Sequence, residues 1–222
     1  MTHSSTVVVV PARRTSSRLP EKLLLAESGQ PLLAHTLKQC LRAKRIHTVI
    51  AAVDCSELAT IAEKAGAKAI LTDPKLASGS DRVWAAIQED DSIQAVINVQ
   101  GDEPEIAPTA IDAIADALEA GATVATLSAP LPADAWGDSA AVKVVTDPKG
   151  QAISFFRESP PIELFDGDDS VPRLHVGVYG YSRGSLEKFA QTPPCADELE
   201  ARLEQLRLFF LKIPIQVLNW PT

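Results

Sequence analysis

The chain is short of cysteine, of long apolar runs and of positive charge. Cys40, Cys55 and Cys195 form an odd, scattered set. No two of them have the spacing of a thiolate metal site, and they read as reduced thiols of a cytoplasmic protein. No apolar stretch approaches the roughly 20 residues that a membrane span needs. The opening MTHSSTVVVV lacks a basic n-region, and its apolar run is too short for a secretory leader. Lys and Arg number 21 against 29 Asp and Glu, a net charge of −8. That balance excludes a general nucleic-acid or membrane-surface role, both of which rest on an excess of cations. Glycine is missing where two common phosphate motifs need it. Residues 11–22 contain none, so neither G-x-x-x-x-G-K-[ST] nor G-x-G-x-x-G follows the first apolar run.

What is present is a hydrophobic content of 45% over 222 residues, enough for a substantial core. The first half alternates between two periods. Val7–Val10 predicts a buried strand, Pro31–Ala43 a helix opened by its proline, and 47–53 a second strand. Ser56–Ala65 predicts a helix capped by Ser56, 68–71 a short strand, and Ser80–Gln88 a helix. Residues 94–99 predict a fourth strand and Pro108–Ala120 a helix. Such alternation implies a mostly parallel sheet covered on both faces, with ligands beyond the carboxyl ends of its strands. The second half predicts a hairpin over 140–157 turning at Asp147–Gly150, then a strand at 174–182. A strongly periodic helix at 196–212 and a last short strand in IPIQVLN follow. Segments 132–139 and 158–172 read as loops, with no internal repeat and no linker that forces a second independent domain.

Two loops fall at strand ends. The first, PARRTSSRLPEK (11–22), gathers Arg13, Arg14, Arg18 and Lys22 in an otherwise acidic protein. Without glycine, such a loop would hold phosphates by side chains: forked donors from Arg13 and Arg18, a point charge from Lys22, and hydrogen bonds from Ser16, Ser17 and main-chain amides. The alternative is a solvated turn with scattered charge. The second, NVQGDEP (98–104), presents Asp102 beside a glycine. Mg²⁺ favours one or two carboxylates completed by substrate phosphates and water, so Asp102 is a candidate ligand; a simple Asp-Gly-type turn is the alternative.

Taken in order, VPARRTSSRLPEK, SGSDR (78–82), NVQGDEP, AVKVV with DPKGQAISFFR, HVGVYGY and LEQLR (203–207) resemble the 3-deoxy-manno-octulosonate cytidylyltransferases, the CMP-Kdo synthetases. The resemblance runs from about Val7 to Arg207. The P-A-R…S-x-R-L-P-x-K element alone indicates only a sugar-nucleotide transferase; the later elements narrow it. It implies an α/β three-layer nucleotidyltransferase, Rossmann-like with a mostly parallel sheet and a mixed-sheet extension for sugar binding and dimerisation. The whole of 1–222 would be one domain, with 1–130 the nucleotide-binding half and 131–222 the sugar-binding and dimerisation part. It also implies that CTP and the acid sugar Kdo give CMP-Kdo and pyrophosphate with Mg²⁺, in a cytoplasmic homodimer that serves lipopolysaccharide assembly. By that likeness Arg13, Lys22 and Asp102 are catalytic. Arg13, Ser17, Arg18, Lys22, Ser78, Gly79, Arg82 and Gln100 would bind CTP, and Asp102 the metal. Gln100, Arg157, His175, Tyr179, Glu204 and Gln205 would line the sugar pocket.

Read without the resemblance, His175 is a strand histidine with a structural role. Glu200, Glu204 and Arg207 would be surface pairs on one helix face.

Three departures from the family pattern stand out. Glu21 and Leu23 replace a Gly and a Pro of R-L-P-G-K-P-L, putting a negative charge beside the phosphate clamp and removing backbone freedom. Phe156 stands where the family has Ser before the Arg, which would make the sugar pocket tighter or drier. No G-V-D-T-P sequence occurs, although in the family its Asp supplies a second metal carboxylate; with Asp102 alone, phosphates and water would complete the shell. Two other readings stay open. One is activation of a different acid sugar, such as 8-amino-Kdo or a sialic-type acid. The other is a catalytically impaired nucleotide-binding or dimer-partner homologue.

Overall fold

The computed structural model describes residues 6–15, 19, 21–158 and 171–221. Its centre is β1 (Thr6–Ala12), buried along its whole length. The valines explain this. Val8 and Val10 enter the apolar layer on one face of the sheet, and Val7 and Val9 enter the layer on the other. Successive strand side chains point to opposite faces, so an unbroken apolar run marks a strand buried on both. β1 pairs in parallel with β2 (Val49–Val53) and with β4 (Ala95–Asn98), and β2 pairs in parallel with β3 (Lys68–Leu71).

The rest of the sheet is mixed. β8 (Arg173–Ser182) lies antiparallel between β4 and β5 (Val124–Ala129), and β9 (Gln216–Asn219) closes the edge in parallel with β5. The order is β3-β2-β1-β4-β8-β5-β9. The hairpin of β6 (Lys143–Thr146) and β7 (Ala152–Phe156) is joined through β6 to β8. A strand from the second half of the chain is therefore built into the centre of the sheet.

Helices cover both faces, giving three layers. α1 (Leu32–Cys40), α2 (Ser56–Ala65) and α4 (Pro108–Glu119) place Leu33, Leu37, Leu58, Ile111 and Ile114 in one apolar layer. α3 (Gly79–Ile87), α5 (Arg183–Gln191) and α7 (Leu206–Phe210) place Val83, Ile87, Leu186, Phe189 and Leu208 in the other.

Several local expectations are corrected. α1 begins after Pro31, which occupies the cap position. The cap of α2 is Cys55, not Ser56, and it makes no side-chain capping bond. α3 starts one residue earlier than its periodicity suggests. Ser78 accepts from the Asp81 amide and the Asp81 carboxylate accepts from the Ser78 amide, a reciprocal capping box. β5 and α5 are elements that the pattern of the sequence left unmarked.

The largest correction is the helix expected over 196–212. It is two short helices, α6 (Ala196–Ala201) and α7, separated by Arg202 with a left-handed φ of 54°. A helix turns about 100° per residue, so Glu198 and Arg207, nine apart, would face opposite sides of a straight one. The break brings them together. Arg207 Nε donates to Glu198 Oε2 at 2.7 Å, and Nη2 donates to Oε1. Nη1 donates to the carbonyls of Phe189 and Thr192, and the guanidinium sits 4.2 Å from the Phe189 ring centroid. Arg207 and Glu198 thus form a buried bidentate pair, not the surface pairs of Arg207 with Glu204 that helical spacing suggests.

β8 can lie at the sheet centre only because Gly180 has no side chain. A Cβ there would come 2.3 Å from Ile114 Cγ2 and 2.8 Å from Leu118 Cδ1, both on α4. Gly180→Ala is expected to lower the unfolding free energy by about 1–3 kcal/mol, read from the urea midpoint. An unchanged midpoint would mean that α4 shifts freely off the sheet.

Candidate functional site

β1 and β4 are adjacent and parallel, with Val9 opposite Asn98. Their carboxyl ends therefore deliver the loops 13–22 and 99–104 to one place. A cavity of about 310 Å³ opens between them, lined by Arg13, Thr15, Lys22, Ser78, Gly79, Arg82, Gln100 and Asp102. Thr15 was not marked by the sequence motifs. Ser17 and Arg18 lie outside the described residues.

The second loop is pinned from below. Buried Thr36 of α1 donates to the carbonyl of Gly101 at 2.9 Å. Gly101 is needed for that approach, since a Cβ would lie 3.2 Å from the Pro11 carbonyl oxygen and 3.3 Å from Leu23 Cδ1.

The three described cations of the first loop have separate fates. Arg14 is turned away from the cavity. Its amide donates to both carboxylate oxygens of Asp54, and its guanidinium pairs with Glu21 at 2.7 Å and with Glu57 at 3.0 Å. Glu21 itself has a left-handed φ of 54°, which accounts for the glycine of the related sequences. Its carboxylate is occupied by Arg14. Arg13 lines the cavity and joins no ion pair among the described residues. Lys22 Nζ donates to Asp102 Oδ2 at 2.8 Å, the two side chains being 38% and 43% exposed. An ion pair that open contributes only about 0–1 kcal/mol, so a ligand that engages both groups can separate them at small cost.

Arg82 is buried at the cavity wall. Nη1 donates to Thr72 Oγ1, but Nη2 is buried without a hydrogen-bond partner. Burial, and next to it the charge of Arg13, holds its pKa below the usual guanidinium value. An open donor on a buried cation favours a ligand oxygen. The Glu103 carboxyl is pushed up, chiefly by burial and then by the charge of Asp102.

Arg157, His175, Tyr179, Glu204 and Gln205 do not line this cavity. A second cavity of about 610 Å³ shares the wall at Ala77 and Ser78 with the first, and Glu204 lines it. Burial raises the Glu204 carboxyl above its ordinary value, with Ser78 and Ser80 close by, and its Oε1 is buried without a partner. Gln205 is buried beside it. Arg157 reaches the same turn: its Nη2 donates to the Arg202 carbonyl at 3.3 Å, and Nη1 donates to the carbonyls of Ser139 and Ala140. Phe156, before it, is buried.

His175 and Tyr179 are set by a bulge. Between Thr126 and Leu127 the register of β5 on β8 shifts from Tyr179 to Val176. Thr126 Oγ1 spans the bulge, 2.8 Å from the Val178 carbonyl and 3.1 Å from His175 Nε2. One hydroxyl has one proton. Given to Val178, it leaves Nε2–H to donate to Thr126, so Nδ1 is left as the acceptor. The His175 ring packs against Phe155 at 5.1 Å and Tyr179 at 5.3 Å. Burial lowers its pKa to about 3, so the ring is neutral near pH 7. The Tyr179 hydroxyl is buried, has no hydrogen-bond partner of normal geometry among the described residues, and is held well above its ordinary pKa by burial and by Tyr181.

A mostly parallel three-layer sheet with cations and a carboxylate facing each other at its carboxyl edge is the architecture of a nucleotidyltransferase. The chain belongs to the cytidylyltransferase family, whose model matches residues 7–214. It is 42% identical over 201 residues to the 3-deoxy-manno-octulosonate cytidylyltransferase of Anaeromyxobacter sp. (strain Fw109-5), covering 90% of this chain and 82% of that one. It is 43% identical over 209 residues to the protein of the same name from Chloroherpeton thalassium, covering 91% and 84%. A solved CMP:2-keto-3-deoxy-manno-octonic acid synthetase complexed with CTP superposes with a TM-score of 0.89 at 32% identity, covering 98% of this chain and 90% of that one. No described helix is long and apolar enough to cross a membrane.

The depressed pKa of His175 has a stability consequence with a definite sign. Below its ordinary value of 6.5 the unfolded chain takes up a proton that the folded ring refuses until about pH 3. The contribution is complete above pH 6.5 and is lost as pH falls through that window, by up to about 1.4 kcal/mol per pH unit. His175→Gln is expected to flatten the fall in unfolding free energy between pH 6 and pH 4 in urea titrations. Equal slopes for the two proteins would mean that the ring protonates in the folded state.

Proposed function

We propose that this protein transfers CMP from CTP to 3-deoxy-manno-octulosonate, releasing pyrophosphate, in the manner its relatives' names describe. The observation that carries the reading is the meeting of Arg13, Lys22, Arg82 and Asp102 around one cavity at the ends of β1 and β4. In the reaction the anomeric hydroxyl of the sugar attacks the α-phosphorus. A new P–O bond forms, the bond to pyrophosphate breaks, and the hydroxyl proton is lost. Charge develops on phosphoryl oxygens, so fixed cations and alignment supply most of the acceleration.

Arg13 and Lys22 would hold the triphosphate, with Ser17 and Arg18 completing the loop. The Ser78–Gly79 helix start and Arg82 would take the nucleoside, and Gln100 would sit between nucleotide and sugar. Neutral His175, with Nδ1 as acceptor, and the unpartnered Tyr179 hydroxyl and Glu204 Oε1 suit sugar hydroxyls. Gln205 would join them, and Arg157 would face the sugar carboxylate.

A divalent metal fits the donor set. No cluster of three or more His, Cys, Asp or Glu side chains suited to a metal occurs among the described residues. Mg²⁺ accepts one or two carboxylates when phosphates complete its shell, and Asp102, at the cavity, would supply one. When bound, Mg²⁺ would neutralise phosphate charge and orient the reacting groups.

In the wider reading, 1–130 serves the nucleotide and 131–222 the sugar and a homodimer contact, in the cytoplasm where CTP is made. Exposed Ile153, Leu199 and Phe210 supply apolar surface for that contact, and sedimentation velocity tests it.

Pyrophosphate release from CTP and Mg²⁺ is expected only when Kdo is added, and weakly or not at all with a sialic-type acid. No release despite intact CTP binding would favour the non-catalytic reading. Lys22→Ala is expected to lower kcat/KM by about 100-fold or more with the fold intact. Asp102→Asn is expected to abolish the Mg²⁺ dependence of turnover; a wild-type Mg²⁺ response would move the metal elsewhere.

A further inference from the structure

Lys143 is fully buried in β6, 0% exposed, among the largest enclosed side chains of the protein. Its ammonium donates to two main-chain carbonyls, those of Asp138 at 2.8 Å and Arg157 at 2.5 Å. It joins no carboxylate among the described residues. The Asp138 carboxylate accepts from the Ala140 amide instead, and exposed Glu158 forms no ion pair among the described residues. Removing an ammonium from water without a counter-anion costs several kcal/mol. A Met or Leu would fill a similar volume without that cost, but would hold neither carbonyl. The cation therefore has a use beyond packing.

Its partners show the use. Lys143 takes the carbonyl of Asp138, and the Arg157 guanidinium takes those of Ser139 and Ala140. The segment 138–140 is held between the two cations. The carbonyl of Arg157 itself is fixed by Lys143, and its guanidinium extends to Arg202, two residues before Glu204. Among the described residues Arg157 spends its donors on neutral carbonyls.

We propose that Lys143 is a positioning residue for the acid sugar. It fixes the main chain of Arg157 and so places the guanidinium that meets the substrate carboxylate. This rests on the reading of Arg157 as the carboxylate partner. No bond is made or broken at Lys143.

The test uses Lys143→Gln, Lys143→Arg, Arg157→Met and the double variant Lys143→Gln/Arg157→Met in the full chain. CTP binding by calorimetry and the urea midpoint report on the fold. Lys143→Gln is expected to raise KM for Kdo about 10-fold or more while KM for CTP stays within about twofold. It should also narrow the preference for Kdo over Kdo carboxamide, and Lys143→Arg should restore part of that preference. In the Arg157→Met background, adding Lys143→Gln should change KM for Kdo little, because the two act in series. Equal rises in both KM values, an unchanged acid-over-amide preference, or independent additive effects would overturn the proposal. If Lys143→Gln does not fold, Lys143→Arg decides alone: it keeps the charge but not the two-carbonyl geometry. A shifted Kdo KM with an unshifted CTP KM is then expected, and no difference from wild type overturns the proposal. Wild-type protein that turns over no Kdo would fail the functional reading itself, whereas active wild type with indifferent Lys143 variants fails only this inference.

Discussion

The parallel pairing of β1 with β4 is the constraint on which the site depends. Val9 pairs with Asn98, where β4 ends, so the loop that follows β4 runs beside the last residues of β1, with Gly101 against the Pro11 carbonyl. The loops that leave them, one rich in cations and one carrying Asp102, then have nowhere to go but toward each other. Val7–Val10 send valines into both apolar layers, so burial on two sides holds β1 at the middle of the sheet. Thr36 and Gly101 refine the arrangement by fixing how closely the second loop approaches β1.

Around that edge the protein leaves a small number of polar groups uncommitted. Among the described residues Gln151 Oε1, beside β9, is buried without a partner, and so are three atoms nearer the proposed site, Arg82 Nη2, Tyr179 Oη and Glu204 Oε1. Such atoms carry a cost in the free protein. The coincidence of the last three with the proposed nucleotide and sugar positions gives that cost a purpose, because a ligand rich in oxygen atoms satisfies all three. The Arg207–Glu198 pair holds the turn that presents Glu204, and Lys143 with Arg157 holds the facing segment 138–140. Polar scaffolding of this kind fixes orientation where an apolar core would fix only volume.

Legibility in the sequence followed the range of the determining interaction. The β1 valines, the Pro108 helix start and the Asp147–Gly150 hairpin turn are local signals, and each is found where its pattern indicates. The helix expected over 196–212 failed because its periodicity is real within each half while Arg202 breaks it, and the return comes from Glu198 meeting Arg207. β5 and α5 are weakly patterned alone and are defined by β8 and α3 against them. Lys143 carries no signal of its own within the predicted hairpin over 140–157, and only the packed structure reveals it as buried.

The sequence by itself determined the chemistry on offer: a glycine-free basic loop after one strand, an acidic loop after another, and the residues that identify a cytidylyltransferase. Tertiary structure decided which of those groups are free to act. The Arg14 guanidinium is taken by Glu21 and Glu57, while Lys22 meets Asp102 across 80 residues and Arg13 is left facing the cavity. The reason is physical. A charge becomes available or spent according to what lies within a few ångströms of it, and in a sheet built from both halves of the chain those neighbours are set by strand order, not by position along the chain.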